Sequence, residues 1–577
     1  MIDIKKLPLE KFIFFTSLWF SFLISDLYYL STLSPDFFRY KSYIEYFLFD
    51  ETNIFSEQGV FYFYFVSIVI YAIFKDLPEG YILDLEKFGN QINFNYEQIN
   101  ELEIHLSNAI QLSNFIIYIV GIVGYYKYFN LKNFQTSNIY LLLSALNFFP
   151  PLLQLRLTLK PEILGFSLLI WIIYYFEKFL KQRFNHDLIW SIFLIGILVN
   201  TKASIAAMGL ILIFFIFLKN RKELINKLIL IVTTLLVFSI LLFVENFNIS
   251  DRYIYDRENL AEQFNQLEYD NVATPEVIYN LNGKELFTRP YKNFHNNSFI
   301  GITLIDTFGD YFNEYWKKDY LYLSKHNKDF IKSGNNLSID FENRELTVPV
   351  NNLNTKILRN ITPPIISIFF YIMVLFQILK NQKFDKILFA SPFIGMLILI
   401  INSFGFPQNN YNPLTSDTYK VFYYGFLLSI SFSIVYISIL KSFKKQWFRV
   451  FFTIFFIFIS LFIIGFPKAN NSALDNNLLA INQSSFLCEI NKQYLRVALI
   501  EYEKKPCERI NDSKCFISNN TSSKNEDCGF LTKEENISIG LKNTPFVNLA
   551  FLVLIFTKIF YSLIIFIRYN FLEILDK

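Results

Sequence analysis

Long apolar runs, mostly of roughly 16 to 22 residues and nearly free of charge, recur along this chain and have the length a helix needs to cross a bilayer. They lie near 12–30, 111–127, 138–153, 163–177, 188–199, 203–218, 228–245, 361–379, 387–403, 419–440, 449–466 and 547–568. The pattern predicts an all-α polytopic membrane protein of about 12 transmembrane helices. The polar stretches between the runs come in two sizes. Most are short, whereas 31–110, 246–360 and 467–546 are long and are expected to be α+β or irregular. The chain therefore divides into a membrane module over 1–245 with its large first loop, a loop domain over 246–360 and membrane helices over 361–466. A cysteine-containing loop over 467–546 and a last helix with its tail over 547–577 complete it.

Positive charge is segregated among the short connectors, and Lys and Arg in such loops mark the cytoplasmic side. Five connectors are basic: Lys127/Lys132, Lys178/Lys181/Arg183, Lys219/Arg221/Lys222/Lys227, Lys380/Lys383/Lys386 and Lys441/Lys444/Lys445/Arg449. The other short connectors, 154–162, 200–202 and 404–418, hold only Arg156, Lys160 and Lys202. Lys5, Lys6 and Lys11 come before or at the start of the first run, which lacks a small-residue cleavage site and reads as a retained span. Both termini are then cytoplasmic, and the three long segments lie outside an inner, plasma membrane. Val60–Phe74 breaks this alternation, because a crossing there would export the basic 127–137 connector. It is expected to be a juxtamembrane helix in the outer interface, its Tyr and Phe at headgroup level. Residues 188–218, basic at both flanks, are expected to form two thin helices with Asn200-Thr201-Lys202 at the outer tip.

Composition narrows the function classes. The chain is 53% hydrophobic and 18% charged, below the roughly 25% charge of soluble domains. Its net charge of +3 is the sum of segregated loops and provides no basic patch for nucleic acid. There is no GxxxxGK[ST] or GxGxxG phosphate loop, and no inner connector is large enough for a nucleotide-binding domain. Chemistry is thus expected on the outer face, without ATP or nucleotide sugars. Cys488, Cys507, Cys515 and Cys528 all fall in one outer loop, which suits an oxidising compartment and one or two disulfides of open pairing.

Four places carry candidate chemistry. Asp36, two residues after Ser34-Pro35 and followed by Arg39-Tyr40, stands just beyond the first span. There it can act as a general base or a metal ligand, or else N-cap a short helix. Arg156-Leu-Thr-Leu-Lys160-Pro161-Glu162 places two cations and an acid between two spans. That set suits a lipid phosphate and part of a metal site, although snorkelling cations would look the same. Lys202 at a hairpin tip suits a donor phosphate or, again, snorkelling. Asp306-Thr-Phe-Gly-Asp310-Tyr311 reads best as an interfacial helix with aromatic neighbours.

Asp36-x-x-Arg39-Tyr40, followed by Glu57-Gln58-Gly59 and Tyr62-x-Tyr64, resembles the first outer loop of GT-C-fold glycosyltransferases. The pattern is nearest that of the aminoarabinose and protein-mannosyl transferases, D-E-x-R-Y … E-K-P-P-L-Y-Y-W. In this sequence Phe37 replaces the second acid and Gln58-Gly59-Val60 replaces Lys-Pro-Pro. The resemblance implies a GT-C-like membrane module with Asp36 at the catalytic centre and Glu57 beside it. It also implies a Mg²⁺ or Mn²⁺ ion held by Asp36, Glu57 and Glu162, the second acidic group falling in the loop of Glu162. Arg39, Tyr40, Arg156, Lys160 and Lys202 would then bind substrate.

The expected function is inverting transfer of a sugar from a polyprenyl-phosphate donor to a lipid, glycan or protein acceptor on the extracytoplasmic face. The expected partners are that lipid-linked donor, the acceptor and membrane lipids, with no nucleic acid. A flippase or transporter also suits twelve spans, but the large outer loops, the lack of internal repeats and the lack of mid-membrane charge oppose it. An O-antigen-type polymerase or ligase would rely on outer-loop Arg and His, for which Arg289 and His295 have no supporting spacing.

Overall fold

In the computed structural model, the apolar runs among the described residues form helices, and the breaks between them fall at Pro, Asn and basic residues. The structure describes residues 8–26, 40, 43–44, 61–74, 96–225, 227, 229–234, 276–288, 298–309, 338–340, 345–347, 353–380, 386–405 and 421–464. Helix α1 spans Leu9–Asp26, α2 Phe61–Phe74, α3 Tyr96–Leu131, α4 Thr136–Leu146 and α5 Pro150–Leu157. They are followed by α6 Glu162–Gln182, α7 Asn185–Val199, α8 Ala203–Lys219, α9 Phe299–Asp306 and α10 Leu353–Lys380. Then come α11 Ser391–Gly405, α12 Gly425–Ser442 and α13 Gln446–Ile464, with a 3₁₀ turn at Val421–Tyr424. A small antiparallel hairpin pairs Ser338–Asp340 with Glu345–Thr347.

Among the described residues, four helical stretches are long and apolar enough to span a membrane: Ala109–Leu131, Glu162–Gln182, Thr362–Lys380 and Gly425–Ser442. The pair α4 and α5 makes five if counted as one bent span. The expected run 138–153 is therefore not continuous. It breaks at Asn147–Phe149 with a bend of 58°, and Pro150-Pro151 open the new helix, where a missing backbone N–H does no harm. Helix α5 then runs to Leu157, so the connector expected at 154–162 shrinks to residues 158–161. Asn147 holds the bend. Its Nδ2 donates to Ser17 Oγ at 2.8 Å, its Oδ1 accepts from the Tyr118 hydroxyl at 2.5 Å, and its carbonyl accepts from Ser21 Oγ at 3.0 Å.

Helices α3 and α6 form the tightest pair. A Cβ on Gly121 would lie 2.3 Å from the Phe166 ring, and one on Gly124 would lie 2.8 Å from Ile170. Glycine thus lets the two backbones approach as closely as membrane helices do. Trp171 Nε1 fastens the same seam by donating to the Val120 carbonyl at 2.9 Å. The 188–218 stretch divides as expected into two helices, α7 and α8, turning at 200–202.

The basic connectors meet at one end of the bundle. Lys132 pairs with Glu177 at 2.7 Å, Arg183 pairs with Glu223, and Arg449 donates to Gln135 at 2.9 Å and Asn138 at 3.1 Å. Lys441 lies 3.7 Å from the Phe134 ring centre, and Gln446 bonds Glu10 near the start of α1. Four of the five basic connectors, with the start of α1, therefore share one end. The turns at 158–161 and 200–202 are joined to each other at the opposite end by the pair of Lys202 and Glu162.

Candidate functional site

The turn between α5 and α6 is the seed of the site. Pro161 stops one helix and precedes the next, so Lys160 and Glu162 flank the break with their side chains fully buried, neither showing any exposed surface. These are not snorkelling residues. Isolated buried charge is strongly disfavoured, so such groups must find partners within the fold. Lys202, at the start of α8, donates to Glu162 Oε1 at 2.7 Å and to the Tyr40 hydroxyl at 3.0 Å. Glu162 Oε2 is buried and has no hydrogen-bond partner among the described residues.

Two tyrosine rings flank both ammonium groups. Lys202 Nζ lies 5.7 Å from the ring centre of Tyr40 and 4.9 Å from that of Tyr423, while Lys160 Nζ lies 5.5 and 5.4 Å from the same rings. All four distances fall within the roughly 6 Å reach of a cation–π contact. Among the described residues, the cluster brings together two ammonium groups and one carboxylate.

A hydrogen-bonded frame holds the turn. The Tyr62 hydroxyl, from α2, donates to Asn114 Oδ1 at 2.7 Å and accepts from the Lys160 backbone N–H at 3.2 Å. Asn114, from α3, donates to the carbonyls of Thr158 at 2.6 Å and Arg156 at 3.0 Å. Burial holds the Tyr62 hydroxyl well above the usual phenol range, so it remains a donor at any physiological pH. The end of α1, the start of α2 and the apolar start of α3 all meet this end of the bundle. The described part of α2, Phe61–Phe74, is 14 residues and about 21 Å long, close to the 15 residues of α7.

Arg156 is also fully buried but faces elsewhere. Its Nη2 donates to the Ser21 carbonyl at 3.0 Å and to Ser21 Oγ at 2.5 Å, and its guanidinium lies 4.9 Å from the Tyr118 ring centre and 5.6 Å from that of Phe115. These contacts clamp α5 to α1 and α3. Of the residues expected at the site, Tyr40, Lys160, Glu162 and Lys202 come together, and Arg156 lies near the end of α5 with contacts to Ser21, Phe115 and Tyr118. Asp36, Arg39 and Glu57 lie outside the described residues, as do Asp310, Cys488, Cys507, Cys515 and Cys528.

Tyr62, Asn114 and Tyr423 were not singled out as site residues by their sequence setting. Tyr62 stood in the tyrosine-rich motif, whereas Asn114 and Tyr423 read only as ordinary parts of apolar helices. Asp306 was expected on an interfacial helix and is instead buried at the end of α9, where the adjoining Phe308 packs on Phe149 and Phe370. Among the described residues no group of three His, Cys, Asp or Glu side chains gathers for a metal ion. A divalent cation wants about six oxygen ligands. The described part of this site offers one buried carboxylate oxygen, with an ammonium beside its neighbour.

No curated protein and no solved structure matches this chain. Over residues 98–244, about a quarter of the chain and the part that contains Asn114, Arg156, Lys160, Glu162 and Lys202, it is similar to the dolichyl-phosphate-mannose-protein mannosyltransferase family, whose model matches there.

Proposed function

We propose that the protein is a membrane glycosyltransferase that takes a sugar from a polyprenyl-phosphate donor, working on the extracytoplasmic face with inversion at the anomeric carbon. The observation that carries this reading is the buried cluster of Lys160, Lys202 and Glu162 between Tyr40 and Tyr423, in a segment similar to a family named for a lipid-phosphate sugar donor. The donor tail stays in lipid while its phosphate meets Lys160 and Lys202. As the C1–O bond breaks through an oxocarbenium-like state, negative charge grows on the leaving phosphate, and preplaced ammonium groups stabilise it. Asp36 removes the proton of the acceptor hydroxyl or amine, and Arg39 and Tyr40 help to seat the substrate. One direct displacement inverts the anomeric carbon.

Asp36, Glu57 and the second oxygen of Glu162 would hold a Mg²⁺ or Mn²⁺ ion. When bound, such an ion would supply further charge neutralisation at the phosphate. Chelation with EDTA and add-back of Mn²⁺ measures whether it takes part. The acceptor, a lipid, glycan or protein, is expected to meet the outer segments 246–360 and 467–546. The deciding experiment is transfer from a polyprenyl-phosphate sugar by the full chain in membranes. Asp36→Asn is expected to lower turnover at least a hundredfold, as loss of a general base does. Wild-type-like turnover would remove Asp36 from the mechanism.

A further inference from the structure

We infer that Tyr423, in the second half of the chain, is a positioning residue of the donor-phosphate site, its ring holding the Lys160 and Lys202 ammonium groups without cancelling their charge. The inference rests on the glycosyltransferase reading above. Tyr423 lies 4.9 Å from Lys202 Nζ and 5.4 Å from Lys160 Nζ, and Tyr40 lies 5.7 and 5.5 Å from the same atoms, so each ammonium is within reach of two rings. Two cations brought together repel each other, and the fold must hold them by something. An aromatic face attracts the cation through its quadrupole and consumes none of its N–H donors. Lys202 uses two donors, on Glu162 and on the Tyr40 hydroxyl, which leaves its third for an anion.

The turn carrying Tyr423 is firmly seated. Val421 and Tyr424 are buried on either side of it, and Gly395 of α11 admits the turn so closely that a Cβ there would lie 2.4 Å from Tyr424 Cβ. Tyr423 itself remains only partly buried. It falls outside residues 98–244 and outside the first loop, so the α10–α13 half of the molecule completes a site whose charges come from the first half.

The test uses the full chain in nanodiscs, with farnesyl phosphate as a sugar-free probe and the polyprenyl-phosphate sugar for transfer. Tyr423→Phe is expected to keep wild-type affinity within about twofold. Tyr423→Leu is expected to raise both the Kd for farnesyl phosphate and the donor KM by about tenfold, as loss of cation–π contacts to two ammonium groups implies. The kcat should move far less. Phenylalanines carrying one, two and three ring fluorines at position 423 keep the shape while removing the quadrupole, and affinity should fall stepwise along the series. Trp447→Leu, exposed at the basic end of the bundle, controls for loss of an aromatic ring. A flat fluorine series, or a Leu variant that binds farnesyl phosphate like wild type, overturns the inference while leaving the transferase reading intact. A wild-type chain that neither binds farnesyl phosphate nor transfers sugar overturns both.

Discussion

At the scale of single residues, the pairs and clamps around the 158–161 turn separate chemistry from architecture. Lys202 and Glu162 are mutually dependent, because removing one partner of a buried ion pair strands the other. Lys202→Gln is expected to destabilise the protein by about 3–5 kcal/mol, visible as a lower Tm, and to abolish transfer. Adding Glu162→Gln should restore most of that stability, since two neutral amides no longer bury charge, yet leave transfer absent. A double variant that regains transfer would place the pair outside the donor site. Arg156 makes the opposite case. Its bonds to Ser21 and its place against Tyr118 clamp α5 to α1 and α3, so Arg156→Met is expected to lower Tm through about 2–3 kcal/mol of lost charge-assisted hydrogen bonding. The donor KM of whatever folds should be unchanged. A KM raised tenfold at constant Tm would return Arg156 to the phosphate site.

At the scale of elements, close approach of α3 and α6 decides where the site turn sits. Asn114 of α3 holds the carbonyls of Arg156 and Thr158, while Glu162 opens α6, so any separation of the two helices moves both. Gly121→Val would drive a side chain into the Phe166 ring, and overpacking of this kind destabilises by about 1–3 kcal/mol. Thermal unfolding measures the loss, and Gly121→Ala should lose less than Val. The bend between α4 and α5 has the same purpose. By turning 58° at Asn147–Phe149 it brings Arg156 back onto α1 and ends α5 below the Tyr62–Asn114 frame.

At the scale of the whole molecule, charge separates the two ends. The contacts Lys132–Glu177, Arg183–Glu223 and Arg449–Gln135 gather the basic connectors, and the Lys160–Lys202 cluster lies at the other end of the same helices. If the basic end is cytoplasmic, the site faces outward. The check is cysteine labelling in intact cells, after Cys488, Cys507, Cys515 and Cys528 are replaced by Ser. A membrane-impermeant maleimide is expected to modify Asn282→Cys, in a segment expected outside, and not Arg221→Cys in a basic connector. Both positions are exposed, so access to the reagent and not burial decides the result. The reverse labelling would invert the topology and put the site on the wrong face for this reading.

Apolar run length and the positions of Lys and Arg determined the described helices and the shared end of four of the basic connectors. Each depends on a local property, the free energy of moving a short segment between water and lipid. The Val60–Phe74 helix and the division of 188–218 at Asn200 were legible for the same reason. Asp36 and Glu57 were found by motif alone and lie outside the described residues. What only the tertiary structure decided is which charges meet. Lys160 and Glu162 read as one candidate loop for a phosphate and a metal and Lys202 as a separate hairpin tip, with snorkelling as the alternative for the cations, and Tyr423 read as one aromatic among many. Burial of a charge depends on partners supplied by distant segments, here a turn, a hairpin tip, the first loop and a 3₁₀ turn more than two hundred residues further on. No local pattern of hydropathy records that dependence, because the partners become neighbours only when the helices have packed.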